Sequence, residues 1–139
     1  NRAEDSVMKI LLADDYLATE KAETALEENG HIITTACNGR DATDALLTDD
    51  FDVVVLEPLM HDLNVADILK IRADAGKPVP KFLITTTLNR AEYDARQDVP
   101  QNIVAFIDKP HEINKLVAAV NGISHVSRSA PSDRKRDGR

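Results

Sequence analysis

Cysteine occurs once in this 139-residue chain, at Cys37, so an internal disulfide is excluded. Order must come from a packed core, and a cytoplasmic setting is the expectation. No apolar run approaches the ~20 residues that cross a bilayer. No charged stretch leads into an apolar one in the manner of a secretion signal. Glycine is scarce, at 5 residues. No segment rich in Gly, Ser or Thr follows the first apolar run, where a phosphate cradle would stand. Asp14 and Asp15 stand there instead and would repel a phosphate, which argues against a flavin enzyme. No internal repeat is visible.

What is present fits one globular domain. Hydrophobic residues make up 42% and charged residues 29%. The net charge of −7 is uneven. Arg128, Arg134, Lys135, Arg136 and Arg139 outweigh Asp133 and Asp137, so residues 124–139 carry +3 and the rest −10. An acidic body is a poor match for nucleic acid. The pattern divides the chain into an extension over 1–7, a domain over 8–122, and a basic tail or linker over 123–139 expected to be disordered.

Short apolar runs alternate with amphipathic stretches. MKILLA (8–13), HIITTA (31–36), FDVVVLE (51–57), KFLITT (81–86) and NIVAFI (102–107) read as strands. Residues 16–29, 38–50, 64–76 and 111–122 read as helices, with Gly30 and Gly76 as natural stops. Four of the strands are continuous apolar runs, which suits a parallel sheet buried on both faces. The alternation predicts right-handed crossovers and a doubly wound α/β domain. The fourth helical segment is weak. Residues 88–101 hold few large apolar side chains and close at Pro100, so a short or mobile element is expected there.

Acids gather at the predicted strand ends. Asp14 and Asp15 follow the first strand, Glu57 ends the third, and Asp108-Lys109-Pro110 follows the fifth. The fourth strand ends in Thr85 and Thr86. In a parallel sheet these termini share one edge, where ligands collect. Crowded carboxylates repel unless a cation sits among them. An all-oxygen set suits Mg²⁺.

The segments KILLADD, ACNGRDA, FDVVVLEPLM, FLITT and FIDKP resemble, in order and spacing, the receiver domain of two-component response regulators, the CheY-like family. The resemblance covers residues 8–122. It implies the flavodoxin-like fold with strand order 2-1-3-4-5. It also implies Asp14, Asp15 and Glu57 as metal ligands, with Glu57 at the phosphoacceptor position, Thr86 as the hydroxyl and Lys109 as the phosphoryl-binding lysine. Phe106 becomes the switch aromatic beside Thr86, and Lys109-Pro110 a cis peptide. The implied partners are a histidine kinase or its phosphotransfer domain, or an output domain in the same chain. The domain itself is then not an enzyme, and a monomer or weak dimer is expected.

Two departures qualify that resemblance. Glu57 stands where the family has aspartate, and its extra methylene moves the carboxylate by about 1.5 Å. Phosphoryl transfer depends on positioning, so phosphorylation is expected to be absent or very slow. His61 and Val65 replace the proline and glycine of the following loop, and Val65 would resist a positive φ. Metal binding is therefore expected to be weak. A natural degenerate receiver acting as an interaction module explains these departures together. An engineered Asp→Glu phosphomimic explains Glu57 alone. A third reading has Arg90, Tyr93 and Arg96 bind a nucleotide messenger such as cyclic di-GMP. The plain reading leaves Arg90 and Tyr93 solvated, His31 at the surface, and Cys37 as an inert packed thiol.

Overall fold

A computed structural model gives the structure of the chain and describes residues 7–123. The expected extension and basic tail lie almost wholly outside the described residues. Five parallel strands form one sheet in the order β2-β1-β3-β4-β5. They are β1 Lys9–Ala13, β2 Ile32–Ala36, β3 Val53–Leu56, β4 Lys81–Thr86 and β5 Ile103–Asp108. The connecting helices are α1 Tyr16–Glu28, α2 Gly39–Thr48, α3 Val65–Asp74 and α4 Arg90–Asp94. A fifth helix, α5, covers residues 113–123. The architecture is the doubly wound one expected, in the expected strand order.

Side-chain alternation along the strands divides the core in two. Leu11, Val54, Leu56, Phe82 and Ile84 face α2, α3 and α4. Ile10, Leu12, Val53, Val55 and Leu83 face α1 and α5 with Ala22, Leu26, Leu116 and Val120. Each fully buried Leu, Ile or Val contributes roughly 1.5–3 kcal/mol, which anchors the central strands. β4 and β5 lose register between Phe82 and Leu83, so Val104 has no partner on β4.

The helices start where the caps stand. Asp15, Asn38, Asn64 and Asn89 each accept a hydrogen bond from a backbone N–H of the first turn. Gly30, at φ 90°, ends α1 in the left-handed region, where a side chain would be strained. Arg72 lies inside, at 2% exposure. Its guanidinium donates to the carbonyls of Leu46, Asp49 and Pro78 and to the Asp50 carboxylate, so four groups compensate its burial.

The expectations for His31, Cys37 and Tyr93 fail, whereas Arg90 is exposed as expected. His31 is 5% exposed and joins three elements. Its Nδ1 accepts from the Met8 N–H at 3.2 Å, and its Nε2 lies 2.9 Å from Asn121 Oδ1. Cys37 is exposed, because the sharp turn into α2 follows it directly. Tyr93 is 2% exposed, and Arg90 lies over the Phe106 ring at 5.5 Å.

The α4 segment is short, as its composition predicts, but it is anchored. A capping box joins Asn89 and Glu92. Tyr93 meets Phe106 edge-on with ring centroids 5.6 Å apart, and its hydroxyl donates to the Pro100 carbonyl at 2.7 Å. Val99 is buried in the same cluster. One large aromatic therefore replaces the apolar stripe of a longer helix. Tyr93→Phe should cost about 1–2 kcal/mol by leaving the Pro100 carbonyl unpaired. Urea unfolding checks this as a lower midpoint at unchanged slope.

Candidate functional site

The C-terminal ends of β1, β3 and β5 bring three charged groups together. Asp14 follows β1, and its backbone N–H donates to the Ala36 carbonyl at 3.2 Å. Glu57 follows β3, and its N–H donates to the Ala13 carbonyl at 2.9 Å. Lys109 follows β5, and its N–H donates to the Thr86 carbonyl at 2.9 Å. Continued strand pairing thus fixes all three backbones before any side chain is placed.

The Lys109 ammonium bridges the two acids. It lies 2.8 Å from Asp14 Oδ1, 2.7 Å from Asp14 Oδ2 and 2.9 Å from Glu57 Oε1. The second Glu57 oxygen, Oε2, accepts from the Leu59 N–H at 3.0 Å. Both oxygens of Glu57 are therefore engaged. Burial pushes the Asp14 carboxyl above its ordinary value, and the Lys109 ammonium only partly offsets this. Burial works against the Lys109 ammonium, but its bonds to Asp14 and Glu57 outweigh that and raise its pKa. The lysine gains from two carboxylates, whereas Asp14 is deeply desolvated and has one cation.

The other predicted site residues are placed differently. Asp15 Oδ1 caps α1 by accepting from the Ala18 N–H at 2.8 Å. Thr86 is fully buried, and its hydroxyl accepts from the Leu88 N–H at 3.2 Å instead of joining the charged groups. The hydroxyl nearest the cluster is that of Thr85, which donates to Asp14 Oδ2 over 3.4 Å. Nothing in the run Thr85-Thr86-Thr87 marks Thr85 out in advance; strand alternation alone decides which face each hydroxyl takes. Phe106 is half-buried beneath Tyr93 and Arg90. The Lys109–Pro110 peptide is cis.

The loop after Glu57 takes the different course that Val65 implied. Its positive φ, 58°, falls at Asp62, a residue type that tolerates the left-handed region. Val65 is the first helical residue of α3 and meets no such demand. On the other side of the cleft, Gly39 lies against the backbone of His61 and Asp62, where a Cβ would overlap the His61 carbonyl oxygen. The motif Asn38-Gly39 thus combines a cap with a close backbone approach. Between these walls lies an open cleft of about 810 Å³, lined by Asp14, Asp15, Arg40, Glu57, His61 and Lys109 among others.

Magnesium needs a near-octahedral shell of oxygens. Here Asp14 and Glu57 bind an ammonium, and one oxygen of Asp15 is committed to a helix cap. Among the described residues, no three His, Cys, Asp or Glu side chains stand close enough together to hold a metal. As arranged, Asp14 and Glu57 face the Lys109 ammonium, so an ion there competes with that lysine. No described helix is long and apolar enough to cross a membrane.

Comparison with known proteins matches this arrangement to one family. Residues 10–121 match the response regulator receiver domain. The chain is 34% identical over 114 residues to the probable transcriptional regulatory protein SilR of Salmonella typhimurium, covering 81% of this chain and 49% of SilR. The chain thus spans about half the length of the curated relatives it matches. The receiver domain of Francisella response regulator 1452 superposes with a TM-score of 0.69 at 26% identity, covering 86% of this chain and 98% of that one. The response regulator TrrA of Thermotoga maritima, solved in complex with Mg(2+)-BeF, superposes with a TM-score of 0.64 at 22% identity, covering 83% and 97%. At that identity TrrA shows the shared fold alone.

Two outcomes follow from the site geometry. Gly39→Ala should destabilise the domain by about 1–3 kcal/mol and shift the amide resonances of residues 59–62, because backbone has to move to admit the methyl. A folded variant with unchanged resonances there would contradict the close approach. The second outcome concerns pH. The folded-state pKa of Lys109 is raised above its ordinary 10.5. Its contribution to stability is then complete below that value and is lost as pH climbs through the folded-state value. Lys109→Met should cost about 3 kcal/mol at neutral pH, since two acids lose their cation. The gap between variant and parent should close at alkaline pH, which urea titrations at stepped pH will show.

Proposed function

From this chain's membership of the response regulator receiver domain family, we propose that it is a phosphorylation-independent receiver, acting in two-component signalling as a regulatory interaction module. The observation that carries the reading is the double engagement of Glu57. A phosphoacceptor must present a free carboxylate oxygen in line with the donor phosphorus. Here Oε1 is bound to the Lys109 ammonium and Oε2 to the Leu59 N–H. The extra methylene of glutamate is what lets one carboxylate reach both.

Lys109 supplies the positive charge that a divalent cation would bring, so Mg²⁺ enters only by displacing it. Binding at millimolar strength or weaker follows, as for other sites with few protein ligands. Mg²⁺ titration followed by amide shifts should show no saturation at micromolar concentrations near residues 14, 15 and 57. Partners of the kind receivers use remain the expectation: a histidine kinase, its phosphotransfer domain, or an output domain joined to this one. The nucleotide-messenger reading loses its support. Tyr93 is buried, Arg90 pairs with Asp94 at 3.1 Å and covers Phe106, and Arg96 pairs with Asp98 at 2.9 Å.

Acetyl phosphate with Mg²⁺, read by intact mass, tests the proposal. The parent chain should gain no phosphoryl group, whereas stoichiometric phosphorylation of Glu57 would overturn the reading. Glu57→Asp under the same conditions separates the two origins of the glutamate. A phosphorylated Glu57→Asp chain means the surroundings retain their chemistry, as an engineered phosphomimic requires. An inert one places the loss in the site as a whole.

A further inference from the structure

The Thr86 hydroxyl is bound to its own loop and Phe106 is held under Tyr93 and Arg90, so neither touches the Asp14–Lys109–Glu57 cluster. A different set of contacts does connect the α4–β5 face to that cluster. After α4 the chain runs over the start of α3. The Asp98 carbonyl accepts from the Val65 N–H at 2.9 Å and from the Ala66 N–H at 3.3 Å. These are donors that the first turn of a helix cannot satisfy internally. Arg96 grips Asp98 through two nitrogens, at 3.1 and 2.9 Å, and donates over 3.4 Å to the Pro58 carbonyl. Pro58 directly follows Glu57, and the next residue, Leu59, donates to the Glu57 carboxylate.

From these contacts we infer that Arg96 and Asp98 form a clasp through which the α4–β5 face sets the position of the Glu57 loop. The clasp spans both ends of the loop, at Pro58 and at Val65–Ala66. Gly39 presses on the same loop from the opposite side, at His61 and Asp62. A loop held at both flanks keeps the Leu59 N–H aimed at Glu57 Oε2. Val99 and Tyr93 bury the segment on either side of the clasp, which fixes its backbone. The Arg96 and Asp98 side chains stay about one third exposed, at 31% and 34%. A molecule that engages them from solvent therefore acts on the loop without entering the cleft. Because coupling is reciprocal, a change at Glu57 must also be felt at residues 96–98. The clasp rests on the geometry alone and holds whether or not Glu57 accepts a phosphoryl group.

Amide hydrogen exchange on the described domain within the full chain provides the test. Arg96→Ala should speed exchange at Leu59, Val65 and Ala66 by about fivefold, the scale of one lost hydrogen bond, while Val54 and Val55 in β3 stay unchanged. Asp98→Asn, which keeps the carbonyl but weakens the ion pair, should act in the same direction and less. Arg90→Ala, on the short helix that precedes the clasp and away from the loop, should leave Leu59 unchanged. Lys109→Met should perturb the amides of residues 96–98. Unchanged exchange at Leu59, Val65 and Ala66 in both clasp variants would overturn the inference. So would an equal effect of Arg90→Ala, since the loop would then be responding to α4 in general. If Arg96→Ala does not fold, Asp98→Asn and Lys109→Met decide the matter.

Discussion

The Lys109 ammonium lies between Asp14 and Glu57, 2.7 Å from one and 2.9 Å from the other, and the upper edge of the sheet is organised around it. Its two partners follow β1 and β3, the adjacent central strands, while Lys109 follows the edge strand β5. Without a cation there, two partly buried carboxylates would face each other in a low-dielectric setting, and one would have to take up a proton. With it, the cost of burying Asp14 is partly offset, and the Glu57 side chain is drawn over Leu59. The placement of the following loop, the first turn of α3 and the segment after α4 then follows as a chain of backbone hydrogen bonds.

The same arrangement shows what a glutamate does at this position of the site. Aspartate and glutamate carry the same charge, so the attraction to Lys109 survives the exchange. What changes is reach. The longer side chain brings one oxygen to the ammonium and the other to a backbone N–H, and that closure occupies both nucleophilic atoms. Charge is thus kept while the position of the carboxylate changes, and phosphoryl transfer is sensitive to position.

The short α4 shows a similar substitution of means. A helix of five residues cannot bury an apolar stripe, yet the segment is tied down by Tyr93, Val99 and the clasp of Arg96 with Asp98. The capping pattern Asn89-x-x-Glu92 is legible in the sequence, since a cap is a local interaction between residues three apart. The burial of Tyr93 is not, because its partners, Phe106 and the Pro100 carbonyl, come from beyond the helix. The same holds for His31, whose contacts are with Met8 and Asn121, and for Arg72, which meets the end of α2.

By itself the sequence determined the class of fold, the strand order implied by its resemblance, and the meeting of Asp14, Glu57 and Lys109 at one sheet edge. Those features rest on period and chain order: alternating apolar runs specify a parallel sheet, and a parallel sheet puts its C-terminal ends together. Tertiary structure decided which of those groups bond to which. It turned the Thr85 hydroxyl toward Asp14, put the Lys109 ammonium between Asp14 and Glu57, and brought Arg96 to the Pro58 carbonyl. Each of these outcomes depends on an ångström of side-chain reach or on the face a strand presents. Such distances are set by residues far apart in the chain, so no local pattern records them.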